Sequence, residues 1–515
     1  MMTNRPNDTR VRLRTGIVIS VLALAAGLGG CAAQRPTVTP APVAGKLSLD
    51  GVTVVSTETG ALSPNMSVLM NGGRIVSIAP TATPSSDTAI QHVDATGKFV
   101  VPGYNNMHDH ALGPENPAGD LALMLTEGVT GFRQMSGSAE LLQARREGRL
   151  PIGIDAPALL TMPSDVITPF NARSPEAVRA LVRQQKADGA DFIKMALATP
   201  AIFFAAIDEA KTVGLPIVGH LQEGVDPRQA ADVGFHAIEH LGPGDTVWIG
   251  CSTNEPALLA EAAARPLIKT PPFQLPGFVQ RLIMKRITKR LVNPAAYADP
   301  ADVARLQRAF DTYSEDKCKA LAERFAADST WQTPTLVRLR TQYLADDPAY
   351  QTDPALASMP EENIKTWKAA TDTFRALPAE TLATYHAAYG RQLALTKLFY
   401  DAGVPMMAGT DGGGASVPGQ AMQQEFEELT KAGIPPLGIL QMTTLNGARF
   451  LGRTATMGTV APGRNADLVI LDGNPVEDAR NLRRISGVVR AGFYYSAGDL
   501  AALRARVEAA RGELR

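Results

Sequence analysis

Two histidines one residue apart end an apolar run, Val100-Val101-Pro102-Gly103-Tyr104-Asn105-Asn106-Met107-His108-Asp109-His110. In an extended chain alternate side chains share a face. His108 and His110 can therefore reach one metal ion from a single strand end, with Asp109 pointing away. Imidazole is a good zinc ligand, and a catalytic zinc needs further ligands from elsewhere in the chain. Taken alone, the pair is a weak signal, since two nearby surface histidines are commoner than a metal site. The chain has only 7 histidines in 515 residues, so the places where the others fall are informative. His220 and His240 end two more strand-like runs, as do Lys194 and Asp411. Asp411 adds a carboxylate that can bind a metal or move a proton.

The elements that must position these residues are repeated strand–helix units. After the opening run, strands are predicted at Gly131–Met135, Ala156–Leu160, Asp191–Met195, Pro216–His220, Ala237–His240, Trp331–Leu336 and Val404–Asp411, with helices such as 175–188 and 201–213 between them. Alternation of this kind predicts a parallel sheet. Eight strands is the (β/α)8 TIM-barrel count, and in that fold the C-terminal strand ends converge on one mouth. His108, His110, Lys194, His220, His240 and Asp411 all fall at such ends. They become neighbours only if the barrel forms.

At these residues the chain resembles the amidohydrolase superfamily, most of all its imidazolonepropionase-related, prolidase-like branch. The resemblance rests on Val101-Pro102-Gly103 leading to His108-Asp109-His110, on Gly189-Ala190-Asp191-Phe192-Ile193-Lys194, Ile238-Glu239-His240 and Gly409-Thr410-Asp411, and on Pro462-Gly463-Arg464-Asn465-Ala466-Asp467-Leu468-Val469. It implies two divalent metal ions, zinc the first choice. His108, His110 and Asp411 would hold one, and His220 and His240 the other. Lys194 would bridge them as a carbamate; the alternative is an ion-paired lysine and a single-metal site. The implied reaction is hydrolysis of a carbon–nitrogen amide bond, of a dipeptide or N-acyl amino acid, by a metal-activated hydroxide, with Asp411 as general base and then acid. Cyclic amides, lactones and esters are the enzymatic alternatives, and a non-catalytic, metal-stabilised binding lipoprotein is the other class. The superfamily's usual acidic residue two before the first metal histidine is Asn106 here.

Both ends read as β structure. Val52–Val55, Ser67–Met70 and Arg74–Ile78 are strand-like, with Asn71-Gly72-Gly73 a hairpin turn. Gly458–Val460, Ala466–Leu471 and Gly487–Gly492 match them at the far end. The expected organisation is a composite β-sandwich of 46–102 and 453–498, a hydrolase barrel over 103–452, and a C-terminal helix over 499–515. Ser252–Thr330 and Arg338–Asp401 are long, mostly helical insertions. Around 278–291 apolar residues recur at helical spacing beside Arg281, Lys285, Arg286, Lys289 and Arg290. A surface helix with a solvated basic face is the preferred reading, a lid the functional alternative and membrane contact a third.

The N-terminus reads as an address. Arg10, Arg12 and Arg14 precede an apolar stretch from Ile17 to Leu28, too short to span a bilayer comfortably, and then Gly29-Gly30-Cys31. This resembles a bacterial lipoprotein signal over 1–30, implying lipidation of Cys31. Ala32 then favours an exported protein anchored on the periplasmic side of the outer membrane, and 31–45 is a tether. An exported compartment permits a disulfide between Cys251 and Cys318. A formal net charge of -1 with 20% charged residues gives no reason to expect nucleic acid. A small-molecule substrate is expected, and a homo-oligomer stays open.

Overall fold

The computed structural model describes residues 45–82, 87–113, 117–265, 290–352, 356, 359, 361–412 and 419–512. Cys31, the signal segment, the tether, most of the basic stretch and Gly413-Gly414 lie outside them.

The chain is α/β. The strands of the two ends form one mixed sheet: β1 (Lys46–Val55), β2 (Leu62–Asn71), β3 (Arg74–Pro80), β4 (Ile90–Asp94) and β5 (Phe99–Pro102) from the start, and β13 (Leu468–Leu471), β14 (Ile485–Arg490) and β15 (Phe493–Ser496) from the end. The ends join where β13 pairs antiparallel with β5. The β2–β3 turn forms as predicted, with Gly72 and Gly73 both at positive φ, as a tight hairpin requires. Hydrogen bonding joins the strands of both ends into one continuous sheet. Bulges in β1 between Leu49 and Val54 bend it, so its first half pairs with β4 and its second with β5. Leu49, Val52, Val68, Met70, Val100, Leu468 and Val489 fill the core of this sheet.

Between the two ends lie two parallel sheets. One is β6 (Tyr104–Asp109), β7 (Val129–Gln134) and β8 (Ala158–Thr161); the other is β9 (Ile193–Met195), β10 (Ile217–Gly219), β11 (Ala237–Glu239) and β12 (Trp331–Thr333). These are the expected strands, trimmed by a few residues. Apart from β8, which is half-buried, each is nearly all buried, as strands covered on both faces must be. The Ile167 amide bonds the Lys194 carbonyl, carrying the connection from β8 to β9.

The expected eighth strand, Val404–Asp411, is not a regular strand. Its backbone still bonds β12, through Gln332 N to Pro405 O and Met407 N to Gln332 O. It also bonds β6, through Met107 N to Ala408 O and Asp411 N to His108 O. Regular pairing stops because Pro405 has no N–H to give and Asp411 turns to φ 53°. Asn106 takes up the irregular backbone, its Oδ1 accepting from the Thr410 amide at 3.1 Å.

The insertion before Trp331 is helical at Glu255–Ala263, Pro300–Asp311 and Glu315–Ala327, and Cys251 and Cys318 are joined by a disulfide within it. The next insertion holds helices Leu336–Tyr343, Glu361–Arg375 and Ala379–Asp401. The final helix, Ala497–Gly512, packs Leu500, Leu503 and Val507 against Ala122, Leu123 and Leu125 of helix Pro117–Thr126. Among the described residues no helix is long and apolar enough to cross a membrane.

Candidate active site

The ends of β6, β9, β10 and β11 and the 404–412 segment bring the predicted residues to one place. His108, His240 and Asp411 each offer a ligand atom, all within 4.8 Å of one another. His110 Nε2 lies 3.1 Å from Asp411 Oδ1, and His108 Nε2 lies 3.2 Å from the same oxygen. The His220 ring packs 5.1 Å from that of His240. The tight group thus crosses the expected ligand sets, because His240 reaches toward Asp411 Oδ2 at 3.9 Å. Two of these residues hold strained backbone, His240 at φ 59° and Asp411 at φ 53°, which only surrounding structure can sustain in a non-glycine residue.

The histidines are aimed by neighbours. His108 Nδ1 lies 2.7 Å from Glu239 Oε2, His110 Nδ1 lies 2.8 Å from Ser136 Oγ, and His240 Nδ1 lies 2.6 Å from Thr335 Oγ1. His220 Nδ1 faces the Ala196 carbonyl at 3.1 Å. In each case the partner occupies Nδ1 and leaves Nε2 for the cluster, the usual support of a metal-binding imidazole. Glu239 is itself held by Arg133, whose Nη2 donates to Oε1 at 2.7 Å and whose Nε donates to the Met107 carbonyl at 2.5 Å. Both side chains are fully buried.

Electrostatics favour neutral nitrogen donors here. Burial pushes His220 down to about 3 and holds His110 and His240 below the ordinary imidazole value. Burial alone would raise the Asp411 carboxyl. Its contacts with His240, His108 and His110 outweigh it and hold the group well below the ordinary value. Burial also lowers the Lys194 amine to about 8, against the opposing pull of Glu239 and Asp411, and its Nζ has no hydrogen-bond partner. A buried amine with no acceptor is costly as an ammonium.

A cavity of about 30 Å³ lies beside the site, lined by Asp109, Asp120, Glu127, Asn106 and Thr410 among others. It has room for a water, not a dipeptide. Asp109 points into this side, as the strand alternation predicts, bonding Asn106 Nδ2 at 2.7 Å and Thr410 Oγ1 at 3.1 Å.

A protein-family model described as the amidohydrolase family matches residues 389–495. Over 88% of this chain and all of the other, the fold is similar to that of a Xaa-Pro dipeptidase with methionine bound in its active site (TM-score 0.58, 18% identity). The family match is thus confined to residues 389–495, and the likeness over the rest of the chain is one of fold. A bottromycin amidohydrolase is similar over 93% of this chain and 91% of its own (TM-score 0.65, 20% identity). A prolidase complexed with N-methylphosphonate-L-proline is similar over 88% and 99% (TM-score 0.55, 20% identity). An adenine deaminase of Paracoccus denitrificans (strain Pd 1222) is 35% identical over 77 residues, 15% of this chain and 13% of that protein's length.

The donor set of this site fits a metal: imidazole nitrogens and a carboxylate converge beside a buried lysine amine that has no hydrogen-bond partner. Among the supports that sequence reading missed are Arg133, Glu239, Thr335 and Arg338. Glu239 had a signal, since it adjoins His240 at a strand end. The other three had none, because their roles depend on contacts across 70 residues or more.

Proposed function

We propose that the protein is a metal-dependent amidohydrolase that cleaves the carbon–nitrogen amide bond of a dipeptide or an N-acyl amino acid. The observation that carries this is the convergence of His108, His240 and Asp411 within 4.8 Å, beside the unpartnered, buried Lys194. The likeness to a Xaa-Pro dipeptidase and a prolidase favours dipeptides ahead of lactones and other esters.

His108, His110 and Asp411 would hold one divalent ion and His220 and His240 a second, zinc the first choice. Lys194 would bridge them as its carbamate, formed when the neutral amine adds carbon dioxide and releases a proton. Divalent ions bound there lower the pKa of water and polarise a carbonyl. The chain's own part is positional and protonic. Glu239, Ser136 and Thr335 fix the imidazoles of His108, His110 and His240, and burial disfavours protonation of His110, His220 and His240. Asp411 accepts the proton of the attacking water and delivers it to the leaving amine. The ring of strands from β6 to β12, with 404–412 bonded on both sides, supports a (β/α)8 barrel with the site at its mouth, and the continuous end sheet supports a composite second domain. The Cys31 signal makes the protein an exported, lipid-anchored one.

The test is metal analysis of the purified protein followed by hydrolysis assays on a panel of N-acyl amino acids and dipeptides, with lactones and esters as controls. Bound zinc and turnover of an amide support the proposal. A protein that binds zinc yet is inert on the whole panel, even after bicarbonate is supplied, argues for the metal-stabilised binding lipoprotein instead. Cys31→Ser should abolish lipid labelling and release the protein from membrane fractions; normal labelling of the variant would reject the anchor.

A further inference from the structure

Helix Leu336–Tyr343 brings one arginine to Asp411. Arg338 is buried, and each of its three guanidinium nitrogens has a protein acceptor. Nε donates to Asp411 Oδ2 at 3.1 Å, Nη1 to the Val292 carbonyl at 2.6 Å, and Nη2 to the Leu291 carbonyl. Residues 290–292 are helical, and the chain leaves the helix at Asn293. The last carbonyls of a helix have no intrahelical donor. A planar guanidinium can satisfy two of them and still present Nε elsewhere.

The stretch that follows is fixed to the same helix. Asn293 Nδ2 donates to the Gln342 carbonyl at 3.2 Å, while its Oδ1 accepts from the Ala295 amide at 3.0 Å and the Ala296 amide at 3.4 Å. Val292 packs with Trp367 and Ala370. Residues 291–297 belong to the insertion between β11 and β12, yet they stand one guanidinium away from Asp411.

Arg338 is poorly placed to bind a substrate carboxylate. Its nitrogens are already committed, and Asp411 balances its charge. The two oxygens of Asp411 are divided instead, Oδ1 facing His108 and His110 and Oδ2 facing Arg338. We propose that Arg338 is a positioning residue that sets two things at once, the Asp411 carboxylate and the 291–297 segment, and that this segment serves as one wall of the substrate pocket. The proposal rests on the reading of Asp411 given above.

Lysine keeps the charge but not the fork. One ammonium cannot span Asp411 and both carbonyls. Arg338→Lys and Arg338→Met are compared with the wild-type holoenzyme by amide hydrogen exchange and by kinetics on any panel substrate that is hydrolysed. Both variants should speed exchange at Ala295 and Ala296 by about tenfold or more relative to the β6 amides. Arg338→Lys should raise KM about tenfold while kcat stays within about threefold, because Asp411 keeps a cationic partner. Arg338→Met should also lower kcat by about a hundredfold, as a displaced proton-transfer group does. A purely structural role would lower the melting temperature of both variants without this split between KM and kcat. If Arg338→Met does not fold, the lysine variant alone decides. A panel with no substrate would count against the amidase reading and leave exchange to judge Arg338. Wild-type exchange at Ala295 and Ala296 in Arg338→Lys, or a wild-type KM, would overturn the proposal.

Discussion

Glu239→Gln isolates the support beneath His108. The carboxylate accepts on both oxygens, from His108 Nδ1 at 2.7 Å and from Arg133 Nη2 at 2.7 Å, with both donors fully buried. Glutamine has one acceptor oxygen and one donor nitrogen. If its oxygen faces Arg133, its NH2 faces His108 Nδ1, which must then give up its proton. The proton moves to Nε2, the nitrogen 3.2 Å from Asp411, and the imidazole can no longer offer a lone pair to a metal. If its oxygen faces His108, two donors meet at Arg133, whose Nη1 already lacks an acceptor. Either way Arg133 is left as a buried cation without its counter-charge, which costs about 3–5 kcal/mol. Loss of the imidazole's partner costs about 10–100-fold in metal affinity. The assays are urea unfolding of the metal-free protein and zinc titration of the folded one. Adding Arg133→Met should recover most of the stability, since it removes the buried cation that lost its counter-charge, yet leave zinc binding weak, since a neutral amide still replaces the carboxylate behind His108. A variant with wild-type stability and wild-type zinc affinity would refute the reasoning. Recovery of zinc affinity in the double variant would show that Arg133, not the His108 tautomer, was responsible.

Lys194→Ala should lose metal and activity together, and short carboxylic acids should restore part of the activity by filling the vacated space. Retention of two metals and most of the activity would remove the carbamate bridge. Glu425 is buried beneath helix Leu336–Tyr343, where it accepts from the Val337 amide, and burial raises its carboxyl from 4.5 to about 8. A folded-state value above the unfolded one contributes stability below pH 4.5 that is lost as pH rises through 8. The wild type should therefore lose up to about 5 kcal/mol more than Glu425→Gln between pH 4.5 and 8, read from urea midpoints; parallel pH profiles would contradict this. Cys318→Ser opens a loop of 67 residues, which by loop entropy costs about 4 kcal/mol. An unchanged midpoint for that variant would mean that the disulfide does not constrain the unfolded chain.

The sequence by itself determined which residues carry the chemistry and roughly where they sit. Hydrophobic runs ending in His108, Lys194, His220 and His240 are local signals, and a strand end fixes its last residue's place whatever lies around it. The Asn71-Gly72-Gly73 hairpin is local in the same sense, because glycine permits the φ angles that the turn demands. Tertiary structure decided the rest. The sheet of the two ends is continuous because a bulge in β1 bends that strand, and a bulge leaves no periodic trace. The 404–411 run has strand composition yet lacks regular pairing, since Pro405 and the turn at Asp411 compete with it. His240 and Asp411 adopt positive φ only because surrounding contacts outweigh their intrinsic preference. Glu239, Arg133, Thr335 and Arg338 aim the site through contacts spanning 73 to 131 residues of sequence for Arg338 and Glu239. Such pairings depend on how the chain closes in space, and residue type or spacing does not encode them.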